Sequence, residues 1–401
     1  MRIKVTMHSG FALLLFILCV INISSHYLQN IIGFWKYHYF SYICWLMLLA
    51  GEIAFLRPKL LKRQIIFLWV LGTSFCVGAF VGEQYFGTGL SELHRAAFVC
   101  IQFFLLFCLR SHVTLKKEDI WMLCRLLFVL GLISSFYAMI MQREYVLGAL
   151  NGDSGSAWRY MSFFGQRNKY AVFCFIASIA GCYLFFSKKN VIYAIGVAFL
   201  GVQILITTSR AALLGYVVLV AFSVYFSSKN KKALIIIAMV GAVIAVIIGF
   251  EFGLIEWLLE KMRHTTASGH DSGFDRLAMW KLCIDFILQK SSLISGFGMG
   301  STVFLIPIYG LESYHNAYVD ALFCGGIIYL TAMIYAMYCG YKWTLKNGDS
   351  AFKNVFLAAW VAFPIYCLFE SGASILASNF FTVSVTVLLL IVPRYYTGKD
   401  D

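Results

Sequence analysis

Charged residues and prolines are both scarce in this chain of 401 residues. Only 13% of the residues are charged and only four are prolines, whereas 61% are hydrophobic. A soluble domain contains about 25% charged residues, so the composition excludes an ordinary soluble protein. It places the chain in a lipid bilayer.

Motifs for metal binding and for disulfide formation are also missing. The 12 cysteines lie singly in apolar segments, without a CxxC pair, which predicts neither disulfides nor zinc. His264 and His270 flank hydroxyl residues, but no carboxylate pattern suited to a divalent cation accompanies them. We therefore expect no bound metal and no cofactor.

Long apolar segments, in contrast, recur along the whole chain. A segment of about 20 apolar residues crosses a hydrocarbon core of roughly 30 Å as a helix, and the short alternating strands of a transmembrane barrel are not seen. The predicted fold class is an all-α polytopic membrane protein with about 12 transmembrane helices. The predicted spans are 10–28, 38–56, 64–82, 95–111, 119–141, 168–187, 190–208, 210–227, 233–251, 315–340, 353–370 and 375–393.

Basic residues follow the loops between these spans. The net charge of +13 could suggest nucleic acid, but nineteen of the 32 lysines and arginines fall on the side that carries both termini. Positively charged loops remain in the cytoplasm, so the bias predicts cytoplasmic termini and no nucleic-acid partner. We expect one integral membrane domain, 1–401, with two long outer loops at 142–167 and 252–314.

Arginines are unusually frequent on the predicted outer side. Outward arginines oppose the topological preference, and a planar, permanently charged side chain suits a phosphate or diphosphate. Seven residues form this set: Arg95, Arg143, Arg159, Arg167, Arg210, Arg263 and Arg276.

Arg210 follows three hydroxyl residues, the last of them Ser209, at the start of a predicted helix. A helix N-terminus favours an anion, so the group could bind phosphate. The alternative is an arginine that merely extends to the membrane interface, and the sequence alone leaves both open.

Residues 275–289 predict an amphipathic helix that lies on the membrane. Arg276 lies at the edge of its apolar face, where it could meet a lipid phosphate. The residues of that face are Leu277, Trp280, Ile284, Ile287 and Leu288. Ordinary interfacial anchoring is the alternative.

The glycines at 296, 298 and 300 do not match a nucleotide-binding loop, because no strand precedes them and no Gly-Lys-Ser/Thr follows. They indicate a tight turn, which either brings backbone N–H groups near a ligand or bends the loop. Both interpretations remain open.

His315 and Asn316, preceded by Tyr314, open the tenth predicted span at its outer end. A histidine there could act as a general base toward a sugar hydroxyl, although a histidine in an aromatic belt is the plainer interpretation. Glu370 and Asn379 are polar positions at the outer ends of the last two spans, and ionisable groups at such depth are functional candidates.

In their order and common outer location, these features resemble the O-antigen ligase and Wzy-type polymerase superfamily of bacterial envelope-polysaccharide enzymes. The matching features are Gly165 to Asn168 before a span, Arg210 and Leu214 as Arg-x-x-x-Leu, Arg276 with Trp280, the turn at Gly296, and His315 with Asn316. The first 140 residues match only as apolar spans.

The resemblance implies a metal-independent, inverting glycosyltransferase of the glycosyltransferase C-like class, on the extracytoplasmic face of the bacterial plasma membrane. It implies that the donor is an oligosaccharide on undecaprenyl diphosphate, that Arg210 and Arg276 hold the diphosphate, and that His315 activates or orients the acceptor hydroxyl. The further substrate-binding candidates are Arg159, Arg167, Asn168, Ser209, Trp280, Tyr314, Asn316 and Glu370.

The acceptor is the open part of this hypothesis. A polymerase joins two lipid-linked repeat units, and a ligase moves the glycan onto lipid A core or another acceptor. The short termini and the lack of an added soluble domain favour polymerase. A chain-length regulator is a possible partner beside the membrane lipids, and a polyprenyl-glycan transporter is the alternative of another class.

Overall fold

Helices make up most of the computed structural model. It describes residues 7–32, 37–51, 59–110, 114–150, 156, 159–231, 273–305, 314–371 and 381–396. The α-helices are α1 Met7–Ile32, α2 Tyr37–Gly51, α3 Lys62–Phe86, α4 Leu93–Phe103, α5 Lys117–Met141, α6 Arg143–Leu150, α7 Arg167–Lys188, α8 Val191–Ile206, α9 Arg210–Ser227, α10 Gly273–Gln289, α11 Ala317–Lys346, α12 Ser350–Phe369, α13 Thr382–Thr386 and α14 Val392–Tyr395.

A few short elements complete the described secondary structure. Strand β1, Lys59–Leu60, pairs antiparallel with β2, Leu109–Arg110. Single π-helical turns follow α4 and α13, and 3-10 turns cover 162–164 and 301–305. The predicted all-α class is therefore correct for the described residues, apart from this two-residue pairing.

Six of these helices are long and apolar enough to cross a membrane. They correspond to predicted spans and are Gln64–Phe86, Lys117–Met141, Arg167–Lys188, Arg210–Ser227, Ala317–Lys346 and Ser350–Phe369. Five further predicted spans fall on shorter apolar helices, and the span 233–251 lies outside the described residues. A multi-pass membrane protein accounts for these helices, and the total of 12 spans stays a prediction.

The chain divides into two compact units. The first unit comprises 1–123, 274–349 and 367–401, and the second unit comprises 124–273 and 350–366. Each has its own apolar core.

In the first unit, α10 packs one side of its apolar face into a core. Met279, Cys283 and Ile287 are buried there at four-residue spacing, in contact with a cluster that includes Phe297 and Phe323. Leu277, Ile284 and Leu288, which belong to the same predicted apolar face, stay exposed. The apolar face is thus divided, because the residues of the core reach only part of the helix circumference.

Helix α11 is interrupted at Gly326, whose φ of 67° and ψ of −167° are open to glycine alone. The interruption frees backbone groups, and the preceding glycine turn binds them. The N–H groups of Phe297 and Gly298 donate to the carbonyls of Phe323 and Cys324, both at 2.8 Å, and the N–H of Ile327 donates to the carbonyl of Leu293 at 2.8 Å. The turn therefore completes the hydrogen bonding of a broken membrane-length helix.

Helix α3 makes room for this turn with two glycines one helical turn apart. A Cβ on Gly78 would lie 2.4 Å from the Ser295 carbonyl oxygen, and one on Gly82 would lie 1.8 Å from the Phe297 carbonyl oxygen. Small residues at this spacing let backbones approach closely inside a membrane. Gly296 and Gly298 themselves adopt positive φ. The sequence correctly predicts a tight turn, and its observed contacts are with α3 and α11. Whether it also approaches a ligand stays a prediction.

In the second unit, α5, α7 and α8 pack around glycines in the same way. The Phe128 ring fills the space beside Gly181 and Gly196, where an added Cβ would meet it at 2.6 and 2.3 Å. Nearly all of α7 is buried, including its first residue, Arg167. The described part of this unit therefore centres on α7.

Candidate active site

His315 begins the polar end of α11 in a strained backbone conformation. Its φ is 48°, in the left-handed region that few non-glycine residues adopt. The residues on either side fix it. Trp280 Nε1 donates to the Tyr314 carbonyl at 2.8 Å, and the Asn316 side chain accepts from the N–H groups of Tyr318 and Val319. Such strain costs about 1–3 kcal/mol, and these flanking contacts offset it.

Tyr314, Trp280 and Asn316, three predicted substrate contacts, thus support the fold around His315. Tyr314 is fully buried, and its hydroxyl donates to the Ser301 carbonyl at 3.1 Å. Asn316 is the N-cap of α11 and satisfies two N–H groups that the helix leaves without helical partners. Their hydrogen bonds fix the backbone on either side of His315.

Glu370 is the partner of His315. The Nδ1 atom of His315 lies 3.3 and 3.4 Å from the two carboxylate oxygens, and both side chains are largely buried. The carboxylate also accepts from the N–H of Ser371 at 3.1 Å. With Nδ1 protonated and donating to Glu370, the Nε2 atom of the imidazole carries the lone pair.

The ionisation of Glu370 follows from its neighbours. Burial raises the pKa of this carboxyl, but the charge and the hydrogen bond of His315, the Arg276 guanidinium and the Ser371 N–H together outweigh burial. The pKa of Glu370 is therefore lowered, and the side chain is a carboxylate at neutral pH.

Arg276, in the first turns of α10, reaches the end of α12. Its Nη1 donates to the carbonyl oxygen of Phe369 at 3.1 Å, next to Glu370. A cation is favourable at this end of a helix, where carbonyl dipoles accumulate. The fold thus brings Arg276, His315 and Glu370, which are distant in sequence, to one place in the first unit.

A second polar group lies in the second unit, around the start of α9. Buried Arg167 donates from Nη1 to the Thr208 hydroxyl at 2.7 Å, and Thr208 has a positive φ of 56°. Buried Ser209 is the N-cap residue of α9, and its side chain makes no capping bond. Arg210 is the first helical residue and is exposed. The chain therefore places two arginines and two hydroxyls at one helix N-terminus.

The remaining predicted residues lie elsewhere in the second unit or outside the described residues. Arg159 stacks over the ring of Tyr145, 5.9 Å from its centre. Asn168 is in the first turn of α7. Arg263, His264, His270 and Asn379 lie outside the described residues.

Thr208 and the Phe369 carbonyl were not predicted. Thr208 belongs to a hydroxyl run that the sequence does draw attention to, whereas a backbone carbonyl 93 positions from Arg276 leaves no sequence signal. No group of three histidine, cysteine or acidic side chains that could hold a metal occurs in the described part of the chain. Metal independence stays a prediction.

Part of the chain is similar to a known protein family. Residues 195–334 match the model of the family described as O-antigen ligase. This stretch contains Arg210, Arg276, Trp280 and His315, whereas Arg159, Arg167 and Glu370 lie outside it. No curated protein matches the chain.

The match supports a membrane enzyme that transfers glycans in envelope polysaccharide assembly, with a lipid-linked glycan and an acceptor as substrates in general terms. Over residues 195–334 the chain is similar to O-antigen ligases, which confirms the resemblance to the O-antigen ligase and Wzy-type family that the order of motifs predicts.

Proposed function

We propose that the chain transfers a glycan from undecaprenyl diphosphate to a hydroxyl group of an acceptor, with inversion and without a metal. The observation that carries this proposal is the group of Arg276, His315 and Glu370 in the first unit. It combines a potential base, a carboxylate that orients the base, and a planar cation.

His315 is the general base in this proposal. Its Nε2 takes the proton of the acceptor hydroxyl while that oxygen forms a bond to the anomeric carbon of the donor. Glu370 holds the imidazole in the required tautomer through Nδ1 and stabilises the imidazolium that forms. The strained backbone of His315 fixes the direction in which the ring points.

Arg276 binds the leaving group. The bond between the anomeric carbon and the diphosphate oxygen breaks, and the diphosphate leaves with the electron pair. A guanidinium donates two parallel hydrogen bonds to phosphate oxygens, so it can neutralise charge that a metal would otherwise hold.

Arg210, Arg167 and Ser209 are proposed as a separate phosphate-binding group of the second unit. Its support is local: a helix N-terminus, a buried arginine and hydroxyl residues. Substitution of each group by itself measures what each contributes.

We further propose polymerisation of repeat units as the reaction, on the extracytoplasmic face of the plasma membrane. The alternative is a ligase that uses lipid A core or another acceptor, and the family match is compatible with both reactions. Both reactions use the same donor and the same catalytic groups, so the acceptor alone separates them.

The test is a product assay with the purified chain in detergent. Undecaprenyl diphosphate linked to one repeat unit is incubated alone and then with lipid A core. A ladder from the donor alone identifies a polymerase, and transfer that requires the added acceptor identifies a ligase. His315→Ala should abolish both products. Product formation by this variant at the wild-type rate would overturn the role of the base.

A further inference from the structure

The start of α7 has no side-chain cap of its own. Its N-cap residue, Gln166, makes no side-chain capping bond, and the next residue, Arg167, is buried and donates to the Thr208 hydroxyl. A buried arginine in a close-packed interior has little freedom to change rotamer. The direction of its guanidinium therefore depends on the backbone that enters α7.

That backbone is a turn with two left-handed residues. Ser162 begins the 3-10 turn with a φ of 52°, and Gly165 follows the turn with a φ of 69°. Glycine adopts this region readily, but serine does so at a cost. Such a conformation persists only where surrounding contacts hold it, so the contacts of Ser162 identify what fixes the turn.

Most of these contacts come from Gln142, which lies between α5 and α6. Its Oε1 atom accepts from the N–H groups of Met161 and Ser162 at 3.1 and 3.0 Å, and its Nε2 atom donates to the Ser162 carbonyl at 3.1 Å. The Ser162 hydroxyl donates to the Ser134 carbonyl of α5 at 2.8 Å. One amide side chain thus binds three backbone groups of the turn and ties the turn to the end of α5.

Thr208, the partner of Arg167, is fixed from within its own segment. The Thr207 hydroxyl donates to the Ile204 carbonyl at 2.6 Å and accepts from the N–H of Ser209 at 3.3 Å. These bonds do not involve the turn before α7. A displacement of that turn would therefore move the guanidinium relative to the hydroxyl, and all of these residues lie in the second unit.

We infer that Gln142 is a positioning residue for Arg167. It holds the turn 162–164 so that the buried guanidinium lies beside Thr208 at the start of α9. The inference rests on the proposed function, which assigns this place to a phosphate group, and it deepens that function by naming a residue that acts on the phosphate only through Arg167.

The test is a double-mutant cycle on the binding of undecaprenyl diphosphate to the full chain in detergent. The variants are Gln142→Met, Arg167→Gln and their combination. Methionine keeps the length of the side chain but has no N–H donor and no strong acceptor. Ser162→Ala, which removes only the bond to α5, replaces Gln142→Met in the cycle if that variant does not reach the membrane.

Gln142→Met should weaken the affinity about tenfold in the wild-type background. In the Arg167→Gln background it should weaken the affinity by less than about twofold, because no guanidinium is left to position. Asn190→Ala is the matched control, since the Asn190 amide accepts from the N–H of Ile192 at 3.0 Å at the start of α8 in the same unit. This control should lower the melting temperature and leave the affinity unchanged.

Two results would overturn the inference and leave the proposed function standing. One is wild-type affinity in Gln142→Met together with weakened binding in Arg167→Gln. The other is an equal loss from Gln142→Met in both backgrounds, which would mean that the residue supports the fold without acting through Arg167.

Two further results would reach the proposed function itself. Wild-type affinity in Arg167→Gln would remove this arginine from the phosphate-binding group, and the inference would fall with it. A wild-type chain that binds no undecaprenyl diphosphate would count against the proposed donor as well as against the inference.

Discussion

At the scale of single residues, the proposed chemistry depends on how Glu370 holds the imidazole of His315, whose Nδ1 atom lies 3.3 Å from a carboxylate oxygen. His315 is predicted from its position at a span end, Arg276 from its position at the edge of an amphipathic helix, and both from the family resemblance. The fold brings the two residues to one place. Glu370 is predicted as a polar position and as a substrate-binding candidate, without a partner. Its pairing with His315 across 55 positions has no periodicity that a sequence could reveal. Tyr314 and Asn316 make hydrogen bonds within the local fold, and their contacts with a substrate stay predictions.

Replacement of Glu370 by glutamine should slow turnover without abolishing donor binding. Glutamine keeps the size but loses the charge that favours the imidazolium. We expect a loss of at least about tenfold in kcat, smaller than the roughly 10²–10⁴-fold effect of losing the base in His315→Ala.

The assay is the rate of product formation at saturating donor, with KM measured in parallel. Asp285→Asn is the control, because Asp285 is an exposed carboxylate of α10. A rise in KM at constant kcat would show that Glu370 binds the substrate and does not orient His315.

Arginine-to-lysine substitutions at Arg210 and Arg276 should each abolish long-chain product while the protein remains in the membrane. A lysine keeps the charge but cannot reproduce the paired hydrogen bonds of a guanidinium. Product length on a gel and membrane content on an immunoblot are the measurements. Arg143→Lys, at an exposed arginine of α6, is the control and should leave product length and membrane content unchanged. Normal chain length in either substituted protein would remove that arginine from the diphosphate site.

The lowered pKa of Glu370 also predicts how stability depends on pH. A carboxyl whose pKa is lower in the folded state stabilises that state above its ordinary pKa of about 4.3, and this contribution is lost as the pH falls through the folded value. Thermal melting in detergent should therefore show a wild-type advantage over Glu370→Gln that shrinks as the pH falls below about 4.3. An advantage that grows as the pH falls further below about 4.3 would contradict the assigned direction.

At the scale of elements, helices are predicted well and their interruptions are not. Gly326 lies inside a predicted span. Because glycine is common in membrane helices, its presence does not indicate a break in the helix. The glycines at 296 and 298, in contrast, do indicate a turn. Only the structure shows that the turn binds the carbonyls of Phe323 and Cys324.

Gly326→Ala should destabilise the first unit. A Cβ there would lie 2.1 Å from the Ile294 carbonyl oxygen, and φ is positive. We expect a loss of at least about 1–3 kcal/mol, read as a lower melting temperature in detergent. The matched control is Gly72→Ala in α3, where nothing lies within 4 Å of an added Cβ. Equal melting temperatures of the two variants would show that α11 can close across the break.

At the scale of the whole molecule, composition and hydropathy predict the class of fold. A segment of about twenty consecutive apolar residues has the length and composition of a membrane-spanning helix. They do not predict packing. The helical periodicity of the sequence places Leu277 and Ile287 of α10 on one membrane-facing side. In the structure Ile287 is buried in the core of the first unit, whereas Leu277 is exposed. The division into two units likewise depends on contacts between distant segments.

The predicted topology can be checked with reporters. Alkaline phosphatase fused after Gln142, in the proposed outer loop 142–167, should be active, and green fluorescent protein fused after Asn347 should fluoresce. Lys342, Lys346 and Lys353 flank the second position, and lysines favour the cytoplasmic side. The opposite pattern would invert the orientation and move His315 to the cytoplasmic face.

The hydrogen bonds between the glycine turn and α11 also have a consequence for amide exchange. Turn amides usually exchange with deuterium quickly, because they open without disturbing the rest of the fold. The amides of Phe297 and Gly298 can open only if the turn leaves the break in α11. Their exchange therefore reports on the integrity of that helix, so two loop residues should be as slow as a buried membrane segment.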